Sequence, residues 1–265
     1  MILPLSGKKS LKLYFLIFIF TLFIVRTDTT LTKEKKSILE ILSGKFNPSE
    51  DSTYDIVPLQ YATQTGLYIH GEVLMAFEEM AQAAQKNGFK IYINSAIRDF
   101  NSQKYIWESK FNGQRLVEGQ DLKKTYPNEI TRVLKILEYS SMPGTSRHHW
   151  GTDIDLGYNK NINQMLTNSA FESGEGLKFY SWMEKNAAKY GFCQPYKESP
   201  EKRNSNLKYG YHEEKWHWSY KPLSAKYFKI YRDQAKKLVP KGFAGSSYGE
   251  NFYMDYVQNI HKDCN

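Results

Sequence analysis

The sequence predicts an α+β domain in which a small antiparallel sheet is flanked by helices. Several segments of ten or more residues carry apolar side chains at helical spacing, which predicts amphipathic helices. Helices mixed with a few short strands are typical of α+β folds. The chain has 265 residues, 41% of them hydrophobic, which suffices for one sizeable core but not comfortably for two catalytic domains. Strands are predicted at residues 90–96, 152–156 and 215–220.

The N-terminal residues are predicted to lie outside the catalytic domain. Three lysines precede an apolar run over residues 13–25, which has the charge asymmetry and length of a secretory signal. The run is shorter than the roughly 20 residues that span a bilayer. No small-x-small cleavage site follows it, so an uncleaved anchor is the alternative. We predict a signal peptide or N-terminal membrane anchor over residues 1–28, a polar spacer over 29–55, and export to the periplasm or cell envelope.

The first half of the predicted domain, which spans residues 56–240, contains three helices and one strand. Gly88 would end the first helix, and residues 90–96 alternate as a strand that stops close to Arg98. Asp99 is a suitable N-cap for the second helix. The helices are predicted at residues 71–85, 99–110 and 129–139.

The second half follows the strand at 152–156. Residues 197–211 are polar and turn-rich, which predicts a loop over the site. We leave residues 241–265 as an unassigned C-terminal tail. Cys193 and Cys264 are the only two cysteines, and in an exported protein they would form a disulfide that ties this tail to the domain. Two further helices are predicted at residues 176–190 and 223–238.

Two polar clusters carry the predicted chemistry: SRHHWGTDID from Ser146 to Asp155, and EKWHW from Glu214 to Trp218. A catalytic zinc ion takes three ligands from His, Asp or Glu and leaves one position to water, whose pKa falls to about 7. We predict His148, Asp155 and His217 as these ligands. Glu214 is the predicted base that takes the proton of the water and gives it to the leaving amine.

Neighbouring residues leave alternatives open. Asp153 faces the same side of an extended strand as Asp155. It could therefore compete as a ligand or accept a hydrogen bond from a ligand imidazole. Glu213 lies beside Glu214, but its spacing to His217 fits the base role less well. His149 is predicted to point away from the metal, because adjacent residues diverge.

These motifs resemble the zinc D-alanyl-D-alanine carboxypeptidases and dipeptidases of the VanY/VanX type. Their pattern is Ser-x-His-x-x-Gly-x-Ala-x-Asp, followed by Glu-x-x-Trp-His or a close variant, with an upstream Arg-x-x-x-x-Gln. Asp153 departs from the usual Ala of that pattern. The similarity covers about residues 60 to 225. The matching residues are Arg98, Gln103, Ser146, His148, Gly151, Asp155, Glu214 and His217.

The resemblance implies a hedgehog/DD-peptidase-like single domain with one zinc ion per chain. It implies hydrolysis of the terminal D-alanyl-D-alanine bond of peptidoglycan stem peptides, with Arg98 stabilising the oxyanion. Ser146 and Gln103 are the predicted substrate-binding residues. An L,D-carboxypeptidase or a cross-link endopeptidase of the same family is an alternative. A non-catalytic zinc-bearing peptidoglycan-binding module is another, although such a module has no need of Glu214.

The positive net charge of the chain is consistent with a location in the cell envelope. The formal net charge is +8 and the pI is about 9.1, so the protein is attracted to anionic partners. No basic-aromatic nucleic-acid motif accompanies the charge. We therefore predict a peptidoglycan substrate, no nucleic-acid partner, and membrane attachment through residues 13–25 as an alternative to cleavage.

Overall fold

The computed structural model describes residues 37–158 and 166–265. The predicted signal segment or anchor, residues 1–28, lies outside the described residues. Among the helices that are described, none is both long and apolar enough to cross a membrane. Residues on both sides of the predicted boundaries near 56 and 240 belong to one compact unit, Lys33–Asn265. The boundaries themselves stay predictions.

The strands form two antiparallel sheets, which confirms the α+β class. A small sheet pairs β1 with β2, and a four-stranded sheet has the order β3-β4-β6-β5 once the strands are numbered along the chain. The three strands predicted from the sequence are β3, β4 and β6. The other three have only two or three residues, too few to show an alternating pattern. The strands are β1 (Tyr54–Ile56), β2 (Tyr68–His70), β3 (Ile91–Ser95), β4 (Asp153–Tyr158), β5 (Phe192–Cys193) and β6 (His217–Tyr220).

All five predicted helices are present, with differences mainly at their ends. The last of them ends at Asp233 rather than at residue 238. A 3-10 turn, Ala235–Lys237, follows the helix. Asp99 caps the second predicted helix by accepting from the backbone N–H of Ser102 at 2.6 Å. The α-helices are α1 (Ile38–Ser43), α2 (Gly71–Lys86), α3 (Phe100–Phe111), α4 (Leu122–Thr125), α5 (Glu129–Leu137), α6 (Gly174–Asn186), α7 (Pro200–Arg203), α8 (Lys221–Asp233), α9 (Ser246–Gly249) and α10 (Tyr253–Gln258).

The four-stranded sheet separates an apolar face from a polar face. Ile154 and Leu156 of β4 are fully buried in a hydrophobic cluster with residues of α2 and α6. Side chains alternate across a strand, so Asp153 and Asp155 lie on the opposite face. Ile154 pairs with Trp218 of β6, which belongs to the same cluster. The alternation that builds the core thus also collects the polar residues of β4 and β6 on one face.

A second hydrophobic cluster includes the C-terminal residues. Tyr256, Val257 and Ile260 are buried in it together with Trp150 and Tyr231. The disulfide between Cys193 and Cys264, predicted from the sequence, is present and joins β5 to the end of the chain.

Candidate active site

Strand register brings the three predicted metal ligands together. Asp155 of β4 lies directly opposite His217 of β6. His148 precedes β4 in a 3-10 turn, Arg147–Trp150. The three side chains are buried, and one potential ligand atom from each lies within 4.8 Å of the other two. We call them the His–Asp–His group.

The turn that carries His148 has a fixed shape. Its N-cap is Ser146, whose Oγ accepts from the backbone N–H of His148 at 3.3 Å. The turn ends at Gly151 with φ of 71°, and a Cβ there would lie 2.7 Å from the ring of Tyr54. Nδ1–H of His148 donates to the carbonyl oxygen of Ala96 at 2.8 Å. Nε2 is therefore the nitrogen that remains for a metal, 3.3 Å from Oδ1 of Asp155.

His217 is held between two aspartates. Its Nε2–H donates to Oδ1 of Asp153 at 3.0 Å, while Nδ1 lies 3.5 Å from Oδ1 of Asp155 and 3.1 Å from Oε2 of Glu214. Asp153 in turn accepts from Nε of Arg147 at 2.8 Å. Of the two roles left open for Asp153, this placement favours the acceptor that orients the imidazole.

The electrostatics of the group favour a bound cation. Burial alone would lower the pKa of His217. Hydrogen bonds with Asp153 and Glu214 and the charge of Asp155 outweigh it and raise that pKa to about 10. Burial would raise the pKa of Asp155, but the neighbouring His148, His217 and Arg98 hold this pKa below its ordinary value. A proton on Nδ1 of His217 competes with a metal for that position, so metal binding would release it.

The donor atoms fit a zinc ion. Oδ1 of Asp155 is buried and makes no hydrogen bond within the described residues. It faces the His148 and His217 nitrogens at 3.3 and 3.5 Å. Two ligands about 2.0–2.1 Å from one tetrahedral ion would lie about 3.3 Å apart. Two imidazoles and one carboxylate are also the ligand types of catalytic zinc sites, which keep one position open.

Glu214 lies beside the His–Asp–His group and lines the same cleft. Its side chain is 15% exposed, so water reaches it. Its backbone is fixed on both sides, because its N–H donates to Tyr196 O at 3.0 Å and its carbonyl accepts from Gln194 Nε2 at 3.0 Å. Glu213 does not line the cleft, and its Oε1 accepts from the backbone N–H of Glu198.

Arg98 reaches the same cleft from the loop after β3. Its Nη2 donates to Ser95 Oγ at 3.0 Å and lies 3.8 Å from Oδ2 of Asp155. Its Nη1 donates to Gln103 Oε1 at 2.8 Å. The amide of Gln103 also donates to Ser141 O at 2.6 Å, and Gln103 is only 1% exposed. This geometry favours Gln103 as the residue that positions Arg98, whereas Ser146 lines the cleft itself.

His149 points away from the group, as predicted. Its Nδ1–H donates to Arg98 O at 2.6 Å, and its Nε2 accepts from the backbone N–H of Gly144 at 2.9 Å. Burial lowers its pKa to about 4. It is therefore a neutral packing residue that fixes the loop of Arg98.

The cleft has a volume of about 240 Å³ and includes residues that the sequence did not single out. A larger cavity of about 420 Å³ lies beside Phe192 and Cys193 of β5. It contains none of the His–Asp–His group, so we assign the chemistry to the smaller cleft. The additional cleft residues with polar or aromatic side chains include Lys110, Arg115, Tyr139, Ser140, Tyr196, Tyr211 and Trp216.

These additional residues are scattered over helices and loops with no motif of their own. Tyr196, for example, packs edge-on against His217 with ring centroids 4.8 Å apart. Among them, Trp216 is the one residue that belongs to a sequence motif, EKWHW from Glu214 to Trp218.

Comparison with known proteins identifies the family. The family model for VanY, D-alanyl-D-alanine carboxypeptidase, matches residues 66–223. A D-alanyl-D-alanine carboxypeptidase of Enterococcus faecium is 26% identical over 263 residues, 90% of this chain and 73% of that protein. An uncharacterized protein of Haemophilus influenzae is 31% identical over 106 residues, 39% of this chain and 68% of that protein. The solved LdcB LD-carboxypeptidase is similar at 23% identity and a TM-score of 0.49, over 79% of this chain and 81% of that one.

An α+β domain with a buried His–Asp–His group and a separate glutamate in one cleft has the composition of a metallohydrolase. The chain belongs to the VanY family of D-alanyl-D-alanine carboxypeptidases, which act on the peptides of peptidoglycan. Peptidoglycan is a cell-wall polymer, so membership of this family implies export.

Proposed function

We propose that the protein is a zinc-dependent carboxypeptidase that removes the terminal D-alanine of peptidoglycan stem peptides, with one zinc ion per chain. A single observation carries this proposal. Glu214 lies 3.1 Å from Nδ1 of His217, within the cleft that the His–Asp–His group lines. A purely structural metal site has no need of such a carboxylate.

His148 Nε2, Asp155 Oδ1 and His217 Nδ1 would hold the zinc ion. When bound there, zinc would polarise the scissile carbonyl and lower the pKa of the attacking water. Asp153 and the carbonyl of Ala96 each accept from the second nitrogen of a ligand imidazole, which fixes the tautomer and the ring orientation.

The remaining steps fall to residues beside the ligands. Glu214 takes a proton from the attacking water and later gives it to the leaving amine. The guanidinium of Arg98 neutralises the negative charge that develops on the carbonyl oxygen. Gln103 and Ser95 hold that guanidinium through two hydrogen bonds. Ser146 lines the cleft and would contact the substrate there.

The test is mass spectrometry of a peptidoglycan pentapeptide after incubation with the zinc-loaded protein, with and without a chelator. We expect the loss of one alanine mass, abolished by the chelator and restored by zinc. An intact pentapeptide alongside a cleaved tetrapeptide would indicate an L,D-carboxypeptidase, and cleavage of cross-linked dimers alone an endopeptidase. If the zinc-loaded protein cleaves none of these substrates, the result would indicate a non-catalytic peptidoglycan-binding module.

Because the family implies export, a segment of the chain must direct it. We propose that residues 13–25 direct export and either are removed or anchor the protein. Mass spectrometry of the mature N-terminus would decide between the two.

A further inference from the structure

The cleft also contains two cations that the mechanism above does not use. Lys110, near the C-terminal end of α3, and Arg115, in the following loop, both line the cleft that holds Glu214. Lys110 is only 8% exposed, and its ammonium donates to Oγ of Ser140, a neutral group. Arg115 is exposed at the edge of the cleft. We call Lys110 and Arg115 the cationic wall.

The cationic wall has no ion-pair partner in the part of the chain that the structure describes. Within the described residues, no carboxylate oxygen forms an ion pair with either side chain at 4.0 Å or less. Burial and then the neighbouring charge of Arg115 lower the pKa of Lys110 to about 8, although Glu214 acts in the opposite direction. Lysine is almost never buried without a partner, and an unpaired buried charge costs folding free energy. Such costs are commonly kept at functional sites.

Arg98 is not free to serve the same purpose. Ser95 and Gln103 hold it through hydrogen bonds, and its Nη2 lies 3.8 Å from Asp155. It is therefore fixed beside the His–Asp–His group, where it can act on the scissile carbonyl. A substrate carboxylate that lies beyond that carbonyl needs a different cation.

The geometry points to the cationic wall as a carboxylate-binding subsite for the peptide substrate. This inference rests on the proposed function. Charge-assisted hydrogen bonds from an ammonium and a guanidinium suit a carboxylate. Two substrate groups share this chemistry: the α-carboxylate of the leaving residue, and an acidic side chain on the residue before the two terminal alanines. The first would restrict the enzyme to free chain ends, since a cross-linked stem lacks that carboxylate.

Three peptides distinguish the α-carboxylate from the acidic side chain as the group that the cationic wall binds. The reference peptide ends in D-alanyl-D-alanine with a glutamate before the two alanines. The second has a C-terminal amide, and the third has glutamine in place of the glutamate. Values of kcat/KM are measured for the wild type, for Lys110→Met and for Lys104→Met. Lys104 is the matched control because it lies on the same helix but pairs with Glu108 at 3.9 Å and does not line the cleft.

We expect the wild type to prefer the reference peptide over one of the two analogues by about 10- to 100-fold, the usual range for a hydrogen bond to a charged group. Lys110→Met should reduce that preference to about threefold or less, while Lys104→Met should keep it. If Lys110→Met loses the preference over the amide peptide, the cationic wall binds the α-carboxylate. If it loses the preference over the glutamine peptide, the wall binds the acidic side chain.

Two results would overturn the subsite but leave the proposed function intact: equal cleavage of all three peptides by the wild type, or an unchanged preference in Lys110→Met. No cleavage of any peptide by zinc-loaded wild type would overturn the proposed function, and the subsite with it. Arg115→Ala changes an exposed residue and should reduce the same preference. The Arg115→Ala variant therefore tests the subsite even if Lys110→Met does not fold.

Discussion

The two sides of the cleft are built in opposite ways. On the sheet side, Asp153 accepts hydrogen bonds from both His217 and Arg147 and is fully buried. On the helical side, the ammonium of buried Lys110 donates to the neutral hydroxyl of Ser140 and forms no ion pair within the described residues. The sheet side supplies a fixed geometry, which metal-assisted chemistry requires. The helical side keeps a buried charge with no ion-pair partner among the described residues, which suits recognition of an anionic substrate group.

The largest effect is expected from removing a ligand on the sheet side. The His217→Ala protein should lose bound zinc, and turnover should fall by more than about a thousandfold, since the metal supplies several kcal/mol of transition-state stabilisation. Metal content and turnover are measured on the same sample. His212→Ala is the control, because His212 is exposed and does not line the cleft. Full zinc content in His217→Ala would remove His217 from the ligand set.

Replacing the base should separate metal binding from chemistry. Glu214→Gln keeps the shape of the side chain, so zinc should stay bound while kcat falls by about 10²- to 10⁴-fold, the range for general acid–base catalysis. Glu213→Gln is the matched control next to it and should keep both zinc and turnover. Wild-type kcat in Glu214→Gln would reject its assignment as the base.

Replacing Asp153, which orients the imidazole of His217, should weaken metal binding without removing a metal ligand. Asp153→Ala should weaken zinc binding by about 10- to 100-fold, the range for loss of an imidazole partner. It should also destabilise the apo protein by about 3–5 kcal/mol, because buried Arg147 loses its counter-charge. Zinc titration and chemical denaturation measure the two effects. An unchanged zinc affinity would mean that Asp153 has only a structural role.

The smallest effect is a gain of stability on the helical side. The pKa of Lys110 is lowered to about 8 in the fold, so its charged form costs folding free energy below that pH. Lys110→Met should stabilise the protein by about 1–3 kcal/mol near pH 6–7. The gain should shrink between pH 8 and the ordinary lysine pKa and vanish above it. Denaturation at several pH values checks this, with Lys104→Met expected to show no such gain.

The metal ligands, the base and the main helices could be predicted from the sequence, whereas the role of Asp153 could not. The ligands and Glu214 come from two short motifs, and the helices carry clear apolar periodicity, so both could be predicted. The role of Asp153 depends on strand register, which sets Asp155 opposite His217 and Asp153 opposite Ser219. That pairing cannot be read from spacing along one strand.

The helical side could not be predicted at all. Lys110 looks like an ordinary solvated position of α3, but in the fold it is buried and its ammonium donates to Oγ of Ser140, 30 residues further along the chain. Gln103 was predicted to bind substrate, but its amide is shared between Arg98 and Ser141. In both cases the role depends on segments that are distant along the chain.

A crystal structure of the zinc-loaded protein, with anomalous scattering recorded at the zinc edge, tests the central claim most directly. We expect one peak about 2.0–2.2 Å from Nε2 of His148, a carboxylate oxygen of Asp155 and Nδ1 of His217. Asp153 should remain bonded to the far nitrogen of His217. A peak coordinated by Asp153 or His149 instead, or no peak in the cleft at stoichiometric zinc, would contradict it.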